Sequence, residues 1–232
     1  MNCLLSFYRF SEIINLTSSN SPRFKSGIYL YHYLITLKQK AMKKIFFYFA
    51  AFLCAVSFAF NTANAQVTVS GSTGANGSYT SLTQAGGAFA VINGAGSQSG
   101  NNIVITITAD VATEDGANSL NAGDWTSFTI SPGGGAARTI SGSLAGHLIN
   151  LDGADNVTID GLNTGGNSLT ISNAGTGASS TIRFINDASN NTIARCTLNG
   201  STTSFGVIFF STGTATGNDG NYINSCQIGP AG

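Results

Sequence analysis

Charge is scarce in this chain: only 9% of its residues are Asp, Glu, Lys or Arg, and no lysine follows Lys44. From Gln66 to Gly232, a stretch of 167 residues, the only cations besides His147 are Arg138, Arg183 and Arg195. They face nine acids, Asp110, Glu114, Asp115, Asp124, Asp152, Asp155, Asp160, Asp187 and Asp219, so the formal balance there is 3 − 9 = −6. The zero balance of the whole chain hides this. An acidic, lysine-free surface does not attract phosphate backbones, which argues against nucleic acid as a partner. Long apolar runs are nearly missing too. The run from Ile45 to Phe60 spans 16 residues, short of the roughly 20 that a membrane-crossing helix needs. Cysteine is sparse: Cys196 and Cys226 are the only two after Gln66, too few for a thiolate metal site, and no histidine lies near them in sequence.

What is present begins with an export signal. Met42-Lys43-Lys44 opens a basic segment, the apolar run follows, and Ala63-Asn64-Ala65 supplies the small residues that a signal peptidase reads. Residues 42–65 therefore read as a signal peptide with cleavage before Gln66, and the mature protein is expected to be secreted or on the outer cell surface. Cys54 does not suit lipid attachment, because bulky Leu53 precedes it and the apolar run continues beyond it. Residues 1–41, with seven aromatics and no clear period, read as a mis-assigned upstream extension.

The mature part repeats itself. Asn190-Asn191-Thr192-Ile193-Ala194-Arg195-Cys196-Thr197-Leu198 is answered by Gly220-Asn221-Tyr222-Ile223-Asn224-Ser225-Cys226-Gln227-Ile228, and Asn156-Val157-Thr158-Ile159-Asp160 fits the same frame. Ile159, Ile193 and Ile223 are offset by 34 and then 30 residues, a spacing that predicts stacked coils. A coil that alternates apolar and polar residues and breaks at Asn or Gly cannot bury its apolar row alone. It can when the next coil lies on it, about 4.8 Å away. The three isoleucines are thus expected to form one buried row, and Asn156 and Asn190 a side-chain amide ladder. Cys196 and Cys226 should stack in adjacent coils at a separation a disulfide would tolerate. Packing as buried thiols is favoured, since stacked Cβ vectors run parallel.

Residues 66–100 read as an N-terminal strand, Val67 to Ser70, and a capping helix. Leu82, Ala85, Phe89 and Ile92 fit one helix face over Tyr79 to Asn93, weakened by Gly86-Gly87. Residues 101–232 read as the coils. Their strands are Asn102–Thr108, Ser127–Ser131, Arg138–Gly142, Leu148 onward, Ser168–Ser172, Ile182 onward and Gly206–Phe210. A gapless alignment of Leu148–Ile159 on Ile182–Ile193 sets Arg183 opposite inward Ile149. An unpaired buried guanidinium is too costly, so a one-residue slip that turns Arg183 outward is expected. Because no closing element follows the last repeat strand, the 101–232 region is expected to continue into further coils.

The coil segments Asn156-Val157-Thr158-Ile159-Asp160-Gly161-Leu162 and Asn190-Asn191-Thr192-Ile193, with Gly77-Ser78-Tyr79-Thr80-Ser81-Leu82-Thr83-Gln84-Ala85 before them, resemble right-handed parallel β-helix proteins of the pectate-lyase-like superfamily. Among these they resemble large secreted and surface proteins of Bacteroidetes-type bacteria. The resemblance implies an all-β fold, a right-handed parallel β-helix solenoid with a short N-terminal capping helix. It specifies fold better than activity, because such coils serve lyases, hydrolases and adhesins alike. Enzymes of the superfamily act on acidic polysaccharides through aspartates, with calcium and arginine in the lyases. That makes Asp152, Asp155, Asp160 and Asp187, with Arg183 and Arg195, the catalytic candidates, and Asp152 and Asp187 lie near one another in the coil alignment. Both aspartates fall at corners where Asp ordinarily satisfies backbone amides, which is the preferred reading. Gly146-His147-Leu148 departs from the Gly-His-Gly of the hydrolase branch, so His147 reads as a strand-start residue. Asp152, Asp155 and Asp219 could supply oxygen ligands to calcium, without a complete loop signature. Trp125 and Tyr222 are the candidates for stacking on sugar rings, although either could pack in the core. The expected function is a noncatalytic secreted or surface domain acting as stalk, adhesin or glycan-binding surface. The alternative is part of a polysaccharide lyase or glycoside hydrolase whose active residues lie in further coils.

Overall fold

The computed structural model describes residues 34–39, 42–43 and 65–231. The chain divides into two units, Met1–Thr62 and Ala63–Gly232. Within the first, 34–39 and 42–43 are helical. The expected upstream extension and signal segment otherwise lie outside the described residues, and no described helix is long and apolar enough to cross a membrane.

The second unit is a parallel β-solenoid of about four turns. Each turn visits three sheets in a fixed order. Sheet I holds β3 (Asn102–Ile107), β5 (Ser127–Pro132), β8 (Val157–Asp160), β11 (Thr192–Ala194) and β14 (Tyr222–Asn224). Sheet II holds β6 (Ala137–Gly142), β9 (Ser168–Asn173), β12 (Cys196–Gly200) and β15 (Gln227–Gly229). Sheet III holds β4 (Leu120–Asn121), β7 (His147–Asp152), β10 (Ser180–Ile185) and β13 (Ile208–Phe210). Alternating patterns such as Ser127-Phe128-Thr129-Ile130-Ser131 put one apolar row inside each sheet, because successive strand side chains point to opposite faces. In sheet I that row is Ile105, Ile130, Ile159, Ile193 and Ile223, paired coil to coil. The first four are fully buried, and Ile223 is partly buried.

Corners are made by residues in the left-handed conformation. Asn156 and Asn190 both have φ 57°, and Gly220 in the next coil has φ 65°. A side chain at Gly220 would place its Cβ 2.6 Å from the Asn190 Oδ1, so the column closes on glycine. Between sheets I and II, Arg195 (φ 55°) and Ser225 (φ 53°) turn the chain in one residue. The expected amide ladder is displaced by one position. Asn191 Oδ1 accepts from the Val157 N–H at 2.8 Å and its Nδ2 donates to the Ala154 carbonyl. Asn221 repeats this with the Asn191 N–H and the Ala188 carbonyl. Asn190, and Gly220 in the next coil, instead provide the left-handed backbone that precedes each inward asparagine, whose amide satisfies buried corner groups. Farther round the coil, Asn173 does the same, accepting from Leu144 and Gly175 and donating to Gly146 and Ser180.

Sheet III resolves the register of Arg183. Ile182 pairs with Ile149, and Arg183 pairs with Asn150. The corner after Ile185 holds one residue more than the corner after its partner Asp152, and Asn186 and Asp187 both take positive φ there. The extra residue absorbs the slip before Thr192 returns to Thr158.

The first coil is closed by elements that run the other way. β1 (Val67–Ser70) pairs antiparallel with β3, and β2 (Gly77–Tyr79) antiparallel with β1, so the edge of β3 is not left open. The helix predicted over Tyr79–Asn93 is only α1, Ala88–Gly94, with Ala88, Phe89 and Ile92 buried. Residues 80–87 are turns. Gly86 is left-handed (φ 73°), and the N–H groups of Leu82 and Thr83 go to the carboxylate of Glu114 at 2.6 and 2.7 Å instead of to a helix. Glu114, 3% exposed, also accepts from the hydroxyls of Ser81 and Thr83. Asn93 clamps α1 to the first coil, donating to the Ser119 carbonyl and accepting from the Asn121 N–H.

Candidate binding surface

Most of the acid side chains are braces. The Asp187 carboxylate accepts from the backbone N–H groups of Thr214 (2.8 Å), Ala215 (2.9 Å) and Gly217 (2.9 Å), and from the Thr214 hydroxyl. That hydroxyl first, and then those amides, hold its carboxyl well below the ordinary carboxylate range against the opposing effect of burial. Asp152 Oδ1 accepts from Asn186 Nδ2 at 2.6 Å, and Asp155 Oδ1 from the Ser189 N–H at 2.7 Å. Asp160 accepts from the Leu162 N–H and pairs with Arg195, the one ion pair among the described residues. The Asp219 carbonyl receives the Asn190 N–H. Asp152 and Asp187 thus sit on adjacent coils, each already engaged in holding a corner. Among the described residues no group of three or more His, Cys, Asp or Glu side chains could hold a metal ion.

Of the two aromatic candidates, Trp125 is buried. It is 6% exposed, donates from Nε1 to the Asp155 carbonyl at 2.8 Å, and packs on Phe128, so its face is not offered to a ligand. Its position just before β5 puts the indole under the corner, where the N–H finds a backbone acceptor. Tyr222 is 61% exposed and ends an outer column of sheet I, Val104, Thr129, Thr158, Thr192 and Tyr222. Sheet II shows a similar column, Thr139, Thr170, Thr197 and Gln227. Neither column carries a charge.

Sheet III differs. Asn150, Arg183 and Phe209 share one register position on successive coils. Arg183 Nε donates to Asn150 Oδ1 at 2.7 Å, and Asn150 Nδ2 donates to the Ser119 hydroxyl, so a relay across three coils orients the guanidinium. Burial lowers the Arg183 pKa, and the Asp152 charge partly restores it. Beside this column lie three rings. Phe205 stacks on Phe209 with centroids 4.4 Å apart, and His147 lies 5.9 Å from each. Phe205 is carried on a knuckle in which Thr202 Oγ1 accepts from the N–H groups of Ser204, Phe205 and Gly206, with Gly206 at φ 97°. The knuckle folds Phe205 back over the sheet and leaves it 41% exposed. His147 Nδ1 is 2.7 Å from the Ser180 hydroxyl. Burial first, and the Arg183 charge second, push its pKa down to about 4, so the imidazole is neutral at ordinary pH.

Sequence reasoning did not find Phe205 and Phe209. Two signals were available. An aromatic in the polar loop Ser201–Gly206 has no core to enter, and in Phe209-Phe210 strand alternation must send one ring outward.

The cysteines occupy one column of sheet II, beside the Thr197–Gln227 pair, and both are free thiols. Cys196 Sγ contacts the Ala194 carbonyl at 3.2 Å, and burial, then the nearby Cys226, pushes its pKa up to about 12. It is an inert packing group rather than a nucleophile.

Compared with known proteins, the chain matches no family model, no curated protein and no solved structure.

Proposed function

We propose that this chain is a noncatalytic β-helix domain of the pectate-lyase-like kind, exported to the cell surface or medium, where its lateral faces contact glycans. The observation that carries this reading is the division of labour among polar residues. The corner acids are engaged with backbone amides and neighbouring side chains, exemplified by Asp187, while hydroxyl-bearing columns of Thr stand on the outer faces of sheets I and II. Glycoside hydrolysis needs two carboxyls free to face one bond across about 5–10 Å, and side chains that hold corners are poorly placed for it. Uncharged hydroxyl rows on a rigid stack suit repeated hydrogen bonding to a polymer.

The test is an assay of the purified chain for unsaturated products and new reducing ends on pectin, alginate and chondroitin, with and without calcium, alongside a glycan-binding array. Binding without turnover is expected. Turnover abolished by Asp152→Ala or Asp187→Ala would overturn the noncatalytic reading.

A further inference from the structure

Resting on that reading, we propose that the ring platform of Phe205, Phe209 and His147, with Arg183 beside it on sheet III, is a binding site for a neutral pyranose of a glycan chain. Three observations support the site. Thr202 fastens three successive amides of the knuckle that carries Phe205, which holds the ring against Phe209 while leaving it 41% exposed. The C–H face of a pyranose carries partial positive charge and is attracted to the negative face of an aromatic ring, and the Phe205–Phe209 stack presents such a face. Next to it Arg183 is fixed through Nε to Asn150 and lies in no ion pair among the described residues, so its outer nitrogens can donate to sugar hydroxyls. Asp152, one oxygen of which is held by Asn186, adds acceptor capacity on the same sheet. Donor and acceptor beside an aromatic face is what a hydroxyl-bearing ring requires.

Charge selects the neutral class. Residues 66–232 carry three arginines against nine acids, and Asp152 already offsets the field at Arg183, so a polyanion would meet net repulsion. The column Ser119, Asn150, Arg183, Phe209 crosses three coil steps, roughly 14 Å at the usual inter-strand spacing, long enough to lie along two or three sugar units.

The experiment titrates the full chain and two variants with cellohexaose, laminarihexaose and mannohexaose, and with hexagalacturonate as the anionic arm. At least one neutral oligomer should bind. Phe205→Ala should weaken it about tenfold, the size of one lost aromatic contact, while Phe205→Trp retains it and gives a blue-shifted emission on binding that buried Trp125 does not. Melting temperatures matching the parent chain show that both variants fold. Unchanged binding in Phe205→Ala would remove the platform and leave the glycan reading standing on another face. Binding of hexagalacturonate alone would overturn the neutral class. No binding of any oligomer would count against both the platform and the glycan-contact reading.

Discussion

The two ends of the solenoid have different surroundings. At the first coil, β1 and β2 cover the edge of β3, α1 sets Phe89 and Ile92 into the core, and Glu114 ties residues 81–83 to the stack. At β13, β14 and β15 the inward positions have a coil on one side only. Phe210 is 48% and Ile228 53% exposed, whereas their partners Phe184 and Leu198, one coil earlier, are fully buried. Periodicity decides which side of a strand a residue faces. Only the neighbouring coil decides whether that side is dry, and burial energy follows the neighbour.

The largest effect expected from this contrast is a pair of matched substitutions. Ile193→Asp places a charge between two coils and should cost about 4 kcal/mol or more. Ile228→Asp, in the equivalent inward row of sheet II, should cost within about 1 kcal/mol because water already reaches it. Chemical denaturation of both measures the difference, and equal losses would erase the distinction between the ends.

Next in size is the latch at the covered end. Glu114→Ala leaves the N–H groups of Leu82 and Thr83 and two hydroxyls without their acceptor. A loss of about 2–3 kcal/mol is expected from stranding buried donors, with faster hydrogen exchange at Leu82 and Thr83. If those amides stay protected, the latch is not what holds the cap.

At the other end Asp187 anchors a loop, not a core. Asp187→Ala should increase proteolytic nicking within residues 211–220 and leave the melting temperature nearly unchanged. A large drop in melting temperature would mean that this loop is part of the cooperative fold.

At neutral pH the smallest effect is that of His147, whose contribution is a pH dependence. His147 is held at about 4 in the folded chain against 6.5 unperturbed, so between these values the unfolded state binds a proton the native state does not. Its contribution is present above about pH 6.5, falls as pH drops toward 4, and is fully lost below. His147→Gln should flatten that part of the stability profile relative to the parent chain. The carboxylate of Asp187 titrates lower still and does not share this window.

Much of the fold was determined by the sequence alone. The Ile159, Ile193 and Ile223 spacing predicted coils and the register that pairs them, because a period of apolar residues has one economical way to be buried. Local patterns also marked β3, β5, β6 and β9 nearly to their ends. Other features needed the stack itself. α1 shrank to seven residues because Glu114, 32 positions from Leu82, competes for its amides. The amide ladder settled on Asn191 and Asn221, each of which follows a left-handed residue, Asn190 or Gly220. Trp125 disappeared beneath a corner, and Phe205 and Phe209 met across a loop. A sequence read along one chain reports which residues alternate. Which of them touch depends on corner lengths that shift by a single residue between coils, and that is decided only when one coil closes on the next.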